Sequence, residues 1–538
     1  MKISTTWCAL FLGSILIGCG SGSIEPAATD PAQDGAPQSA ILTPANHKPH
    51  HSPRRCPGCG LDAGGPTTDG GEPQSDAGVS QQDATPPQSD AGVSQQDATP
   101  PQSDAAVVVA GYCHGDVPCA ATLTRAPSAA CATAGANAHV VTSTAPSTTG
   151  YTEAALALPA VGGRVADPDF SSCITRATPT GWMNGYSRFS AINADASMYL
   201  VRQAAGAWYL LPADQLGPPT RALSIYGDAV APRWHGRDPD VLFYLSGTRL
   251  VRYQVSTGQG STALDLAAVP DLAGCSTVSN VSLGGSEGDA SAGSRYWGFQ
   301  VNTSATCRGN DQHFVTADLD TGEAWVHTLP AGYGLPDNSS MSATGKYFIA
   351  NYQLAACGGS IGSLTQPCGT MAYDLHLQTA FMVHPGGGHH DEGLTKEGHD
   401  AVIVKSNTTD FIESIDLETR VLTRIAALNL AVDAWDYHIS GGNWAVPGWV
   451  LVSEDSYDWN THYLSRQIVA IELADYTVAR VVHLAHTRTR STDYWTKEAH
   501  ASTNADLTRV AFHSNWYGGT AESDNIMFVL ELPPGLFQ

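Results

Sequence analysis

Charge is scarce in this 538-residue sequence: only 14% of positions are Asp, Glu, Lys or Arg. The basic sign is the scarcer, with 27 Lys and Arg against 51 Asp and Glu, for a net charge of −24. Such a chain lacks the clustered cations that release counterions from a phosphate backbone, which excludes nucleic acid as a partner. Scarce Lys and Glu also remove the best charged helix formers, while 54 glycines and 32 prolines break helices. A helical bundle is excluded on both counts. No run of 18 apolar residues occurs, so no segment reads as a membrane-spanning helix. Phosphate loop, dinucleotide fingerprint and zinc-protease His-Glu pair are all missing. Gly284-Gly-Ser286-Glu-Gly288 matches the nucleophile-elbow pattern, but it lies in a Gly/Ser loop without the strand-to-helix context that exposes a serine.

What is present starts at the N-terminus. Lys2 precedes an apolar run from Trp7 to Ile17, too short to span a bilayer, so residues 1–18 read as a signal peptide. Leu16-Ile17-Gly18-Cys19 resembles the bacterial lipobox, in which the cysteine is lipidated. That resemblance implies export and a membrane partnership through a lipid anchor on Cys19, with Gly20 next to it favouring the outer membrane. Residues 19–110 form a tether of Pro, Gly, Ala, Ser, Gln and Asp, and the 14-residue segment 73–86 recurs as 87–100. A repeat this polar buries no core, so the tether is expected to be disordered. Cys56-Pro-Gly-Cys59 lies inside it and lacks the folded surround and further ligands that redox or zinc chemistry requires.

Residues 111–159 read as a cysteine-containing cap or linker, and 160–538 as the folded body. Two phrases recur in that body. One is an apolar strand, an acidic residue and a turn, as in Val315-Thr-Ala-Asp318-Leu-Asp-Thr-Gly322 and Ile412-Glu-Ser-Ile-Asp416-Leu-Glu-Thr419. The other is a polar turn leading into an alternating strand, as in Asn193-Ala-Asp195-Ala-Ser-Met-Tyr199, Ser342-Ala-Thr-Gly345-Lys-Tyr347 and Asn504-Ala-Asp506-Leu-Thr-Arg-Val510. Asn, Asp and Gly set hairpins, and β-branched and aromatic alternation sets half-buried strands. Units start near 186, 230, 277, 336, 388, 436 and 498 and average about 50 residues. The expected fold is all-β: a seven-bladed β-propeller of four-stranded blades, with a pair of β-sandwiches as the alternative. Residues 163–166 and 174–176 precede the first unit and are expected to supply the outer strand of the last.

The turn phrases resemble the Ser-Pro-Asp-Gly repeats of TolB-like propellers, a superfamily that includes the oligogalacturonate lyases. Ala196 and Leu507 stand where glycine is usual, which puts the turn geometry at those two positions in question. Of the cysteines, Cys275 with Cys307 and Cys357 with Cys368 are expected pairs. Cys113, Cys119, Cys131 and Cys173 tie the cap in an order left open.

Three successive units place a histidine just before their first strand: His390, His438 and His500. Equivalent positions in consecutive blades converge on the central channel, where imidazoles, with Asp391 beside them, could share a divalent ion: Mn, Ca or Zn. The lyase resemblance implies the same arrangement. His389 or Tyr437 is the expected base and Arg233 the expected partner of a uronate carboxylate, while Arg188, His235 and Trp435 are candidate substrate contacts. The functional expectation is a cell-surface lipoprotein that binds an acidic polysaccharide and cleaves it by metal-assisted β-elimination. A propeller that only binds glycan or protein, or a structural envelope component, are the alternatives.

Overall fold

The computed structural model describes residues 153–227, 232–272, 275, 278–284, 287–307, 309–352, 362–428, 437–455, 463–489, 498–519 and 521–537, together with 5–7, 20–22, 112–118, 131 and 139–142. Cys19, the repeats of the tether, Cys119, Cys357 and Trp435 lie outside the described residues. The chain divides into two units, 1–98 and 99–538. The first contributes one short antiparallel pair, Thr5–Trp7 with Gly20–Gly22.

The second unit carries a seven-bladed propeller of antiparallel sheets. The first strands of its blades are Trp182–Met183, Arg233–Trp234, Val278–Ser282, Asn338–Met341, Gly387–Leu394, Tyr437–Ser440 and Ser502–Thr503. These fall within a few residues of the starts expected from the repeats. Blade 7 takes its fourth strand from the other end of the chain: Cys173–Arg176 pairs with Ile526–Glu531, setting Ile174 opposite Leu530. Thr175 Oγ1 donates to Glu531 Oε1 at 3.1 Å across that seam. Arg164–Ala166 adds a fifth strand there, and His139–Thr142 adds a fifth to blade 6. The alternative of paired sandwiches is overturned by this ring.

The core lies between blades rather than within one. Val241, Phe243 and Leu245 of blade 2 pack against Trp297, Phe299 and Val301 of blade 3, and all six are at most 3% exposed. The two turns without glycine keep the glycine conformation: Ala196 has φ +54° and Leu507 φ +55°, against +81° at Gly345. Each is braced by its neighbours. Asn193 Oδ1 accepts Met198 N at 2.9 Å and Asp195 Oδ1 accepts Ser197 N at 3.0 Å, and Asn504 and Asp506 repeat the pattern. These bonds offset the Cβ strain of a left-handed residue.

Neighbouring blades are stapled by buried carboxylates. Asp400 of blade 5 accepts Ser342 Oγ and Thr344 N of blade 4, both at 2.9 Å, as well as the Thr344 hydroxyl. The equivalent turn of blade 3 receives its carboxylate from outside the ring. A hairpin of Tyr112–His114 and Val117–Pro118 docks here, and Asp116 accepts the Ser291 hydroxyl and Arg295 N. Val117 packs beside Ala343, Leu394 and Trp444, from the turns of blades 4 to 6. Disulfides join Cys131 to Cys173 and Cys275 to Cys307. The second pair is the one expected, and Cys368 is also disulfide-bonded.

Candidate functional site

Side chains from non-adjacent blades meet only at the axis of a propeller, and they meet here. His389 of blade 5 stacks on His438 of blade 6, with ring centres 4.7 Å apart. His438 meets His500 of blade 7 edge-on at 4.3 Å. Tyr186 of blade 1 closes the circle, its ring 5.5 Å from His438 and 4.9 Å from His500. Arg188, two residues on, reaches across to Glu287 of blade 3 at 3.4 Å.

The sharpest cluster is His438, Glu498 and His500, whose ligand atoms all lie within 4.8 Å of one another. Glu498 Oε2 contacts His438 Nε2 and lies 3.5 Å from His500 Nε2. Donors bound to one ion at roughly 2.1 Å in tetrahedral geometry stand about 3.4 Å apart, the spacing of Glu498 Oε2 and His500 Nε2; His438 Nε2 instead hydrogen-bonds the carboxylate directly, a contact that a shared cation would replace. His438 Nδ1 is buried and makes no hydrogen bond. Burial holds the rings neutral, the form in which imidazole donates a lone pair. His438 is pushed down to about 3 by burial and then by Arg188, and His500 lies well below the usual range through burial and the neighbouring His438.

His389 is set differently. Its Nδ1 lies 2.8 Å from the Tyr437 carbonyl oxygen. A carbonyl only accepts, so Nδ1 carries the hydrogen and the lone pair is left on Nε2. Burial, with His438 beside it, lowers this group to about 3.

The structure distributes the expected residues unevenly. His438 and His500 come together, whereas His390 lies outside their group and faces Glu392 at 3.3 Å. Asp391 is buried, accepts Gly441 N at 2.6 Å and lies outside the His438 group; burial and the adjacent Glu392 push its carboxyl up. Tyr437 is corrected as a base: its side chain is fully buried in the apolar cluster of blades 5 and 6, and only its carbonyl serves the site. Arg233 is corrected as a carboxylate partner. It donates from Nε to the Gly288 carbonyl at 2.8 Å and stacks 3.6 Å over Phe189, so its guanidinium is committed to structure.

Arg188 keeps the role open. Its side chain is 2% exposed, and neither Nη1 nor Nη2 makes a hydrogen bond. It borders a cavity of about 100 Å³ walled also by Trp234, His235, Asp289, Glu392 and Trp444. Glu498 is the residue that histidine counting missed. Glu498 stands two before His500, a spacing that puts both side chains on one face of an extended segment, so the signal was present.

His235 serves a turn in that cavity wall. Its Nδ1 accepts Arg237 N at 3.1 Å and Asp238 N at 3.2 Å, and burial lowers it to about 4. The unfolded chain protonates this ring near pH 6.5 and the folded one only near 4. Stability from the group is therefore complete above pH 6.5 and is lost as pH falls towards 4, by about 3 kcal/mol. His235→Asn keeps an acceptor that does not titrate. Urea unfolding at pH 7.5 and 4.5 should show a smaller acid loss in this variant than in the wild type; equal losses would refute the assignment.

A second group of ligand types, Asp167, Asp169 and His486, sits at the seam of the ring. Its carboxylates are already engaged. Asp167 accepts the amides of Asp169, Phe170 and His486 and pairs with Arg488, while Asp169 accepts Ala154 N and lies 3.0 Å from His486 Nε2; neither ring nitrogen of His486 makes a hydrogen bond.

No protein-family profile matches the chain, and no curated protein matches it. Among solved structures, it is similar to an oligogalacturonate lyase from Vibrio parahaemolyticus at 11% identity and a TM-score of 0.47, covering 75% of this chain and 100% of that one. Kuenenia stuttgartiensis hydrazine synthase is similar at 11% identity and a TM-score of 0.37, over 66% of this chain and 97% of that one. The β-propeller domain of Myceliophteria thermophila Cps50 (Swd1) is similar at 11% identity and a TM-score of 0.36, over 66% and 98%. The chain is a β-propeller by its own sheets, and these likenesses extend no further than the fold.

Proposed function

We propose that the channel binds an acidic polysaccharide through a divalent cation held by His438, Glu498 and His500, and cleaves it by β-elimination. The observation that carries this reading is the His438–Glu498–His500 cluster with the lone pair of His389 Nε2 beside it. Two imidazoles and one carboxylate suit zinc or manganese and disfavour calcium, which takes oxygen ligands. When bound, such an ion draws charge from a uronate carboxylate and acidifies the adjacent C–H. Arg188, buried and ion-paired with Glu287 but with neither Nη hydrogen-bonded, neutralises the same carboxylate. His389 Nε2 takes the proton from that carbon; the carbon–carbon double bond forms as the glycosidic C–O bond breaks, and the departing oxygen is protonated from water. Neutral His389 is the required form, and the incoming carboxylate strengthens it as a base, because an opposite charge favours imidazolium.

The test uses the purified full chain with zinc or manganese and a panel of uronate polymers. The expected result is a rise in ultraviolet absorbance from the unsaturated sugar end, abolished by a chelator and by His389→Ala. Glycan binding that survives chelation, without any such rise, would leave a binding propeller and end the lyase reading.

A further inference from the structure

His500 adopts the left-handed backbone conformation, with φ +43°, although it is not glycine and no hairpin turn is formed there. A side chain in that region is strained, and strain persists only where the surroundings over-determine it. The surroundings do so from three blades. Asp455, at the end of the second strand of blade 6, accepts the amide of Ala499 at 2.7 Å. Ser453, two residues earlier, accepts the amide of Ala501 at 3.2 Å. From blade 1, Asn184 donates to the His500 carbonyl at 2.7 Å, and its own oxygen bonds His513 Nδ1 at 2.6 Å. His513 N in turn donates to the Ala499 carbonyl at 3.1 Å. The peptide groups on both sides of His500 are thus pinned, and none of the pins comes from the segment itself.

The strained residue is the one whose ring meets His438 and Glu498. We propose that Asp455 and Asn184 are positioning residues of the cation site, holding His500 in a conformation its own sequence disfavours so that its Nε2 reaches the shared ligand position. A relaxed backbone at His500 would swing the ring off the Glu498 carboxylate, two residues away on the same short segment. This rests on the cation reading of the cluster, and the clamps are its supporting frame.

The experiment titrates zinc alone into the full chain and its variants by calorimetry, with thermal unfolding alongside. Asp455→Ala and Asn184→Ala should each weaken zinc binding by about 10- to 100-fold, the range for partners that orient a ligand without touching the metal. Asp455→Asn keeps an acceptor for the Ala499 amide and should restore binding to within a few-fold of wild type. His500→Gly and His500→Ala should both lose binding, but the glycine variant should melt at the higher temperature, because glycine takes a positive φ without strain. If wild type binds zinc and both alanine variants bind equally well, the positioning role is overturned. If wild type binds no zinc, the cation reading falls on its own. The glycine–alanine comparison still decides the strain: a glycine variant no more stable than the alanine one overturns it.

Discussion

Glu498→Ala is expected to lower the affinity for zinc or manganese by more than about 100-fold, beyond the 10- to 100-fold lost when a supporting partner is removed. Among the described residues, Glu498 is the one carboxylate that reaches both His438 and His500, touching the first and standing 3.5 Å from the second. Two imidazoles alone leave half of a tetrahedral shell to water, and the negative charge that offsets the cation is gone. Stability should fall as well, by about 1–3 kcal/mol, since the side chain is only 14% exposed and its loss leaves the buried His438 Nε2 without a partner. Calorimetric titration of both proteins measures the loss, and thermal melts show whether the fold survives. A drop of less than tenfold would mean that Glu498 is not a ligand.

Arg488→Ala carries the largest expected effect on stability, about 3–5 kcal/mol. The guanidinium lies 3.2 Å from Asp167 and 3.3 Å from Glu153 and donates to the Ala154 carbonyl at 2.9 Å. Arg488 and Asp167 are both fully buried, so removing the cation strands a carboxylate in a medium that cannot solvate it. The same cluster holds the chain just before the closing strand Cys173–Arg176, so the damage should spread to the seam of blade 7. Arg488→Met with Asp167→Asn should recover only part of the loss, because Glu153 stays buried beside the gap and an asparagine cannot accept from both Asp169 N and His486 N as the carboxylate does. Urea unfolding of the three proteins tests this; a single-variant cost below about 1 kcal/mol would refute the account.

The architecture was legible because each blade repeats its own punctuation. Asn193 with Asp195, and Asn504 with Asp506, mark hairpins even where Ala196 and Leu507 replace glycine, since the side chains supply the bonds that hold the turn. The closing strand was legible as well, as an apolar segment before the first unit with no blade of its own. The site was half legible. His438 and His500 share a repeat position and do converge, but alternation along a strand decides which neighbour faces the axis. Tyr437 precedes His438 and so turns into the apolar layer, and His389 rather than His390 lies against His438. Arg233 could not be placed from sequence. Whether an arginine at a blade entry lines a channel or donates to a carbonyl depends on Gly288 and Phe189, which no local pattern links to it.

The seam of blade 7 also fixes an order of events during synthesis. Thr175 and its partner Glu531 are 356 residues apart, so the strand made among the first is used last. At ribosomal rates of about 5–20 residues per second, its partner emerges roughly 20 to 70 s later. Until then Cys173–Arg176 has a native neighbour only on its outer edge, Arg164–Ala166, and six blades can assemble into an arc without becoming a ring. A message truncated anywhere before Ile526 yields an arc that can never close, with both ends exposed to proteases and chaperones. Closure of the ring therefore waits on a single strand pairing, Cys173–Arg176 with Ile526–Glu531.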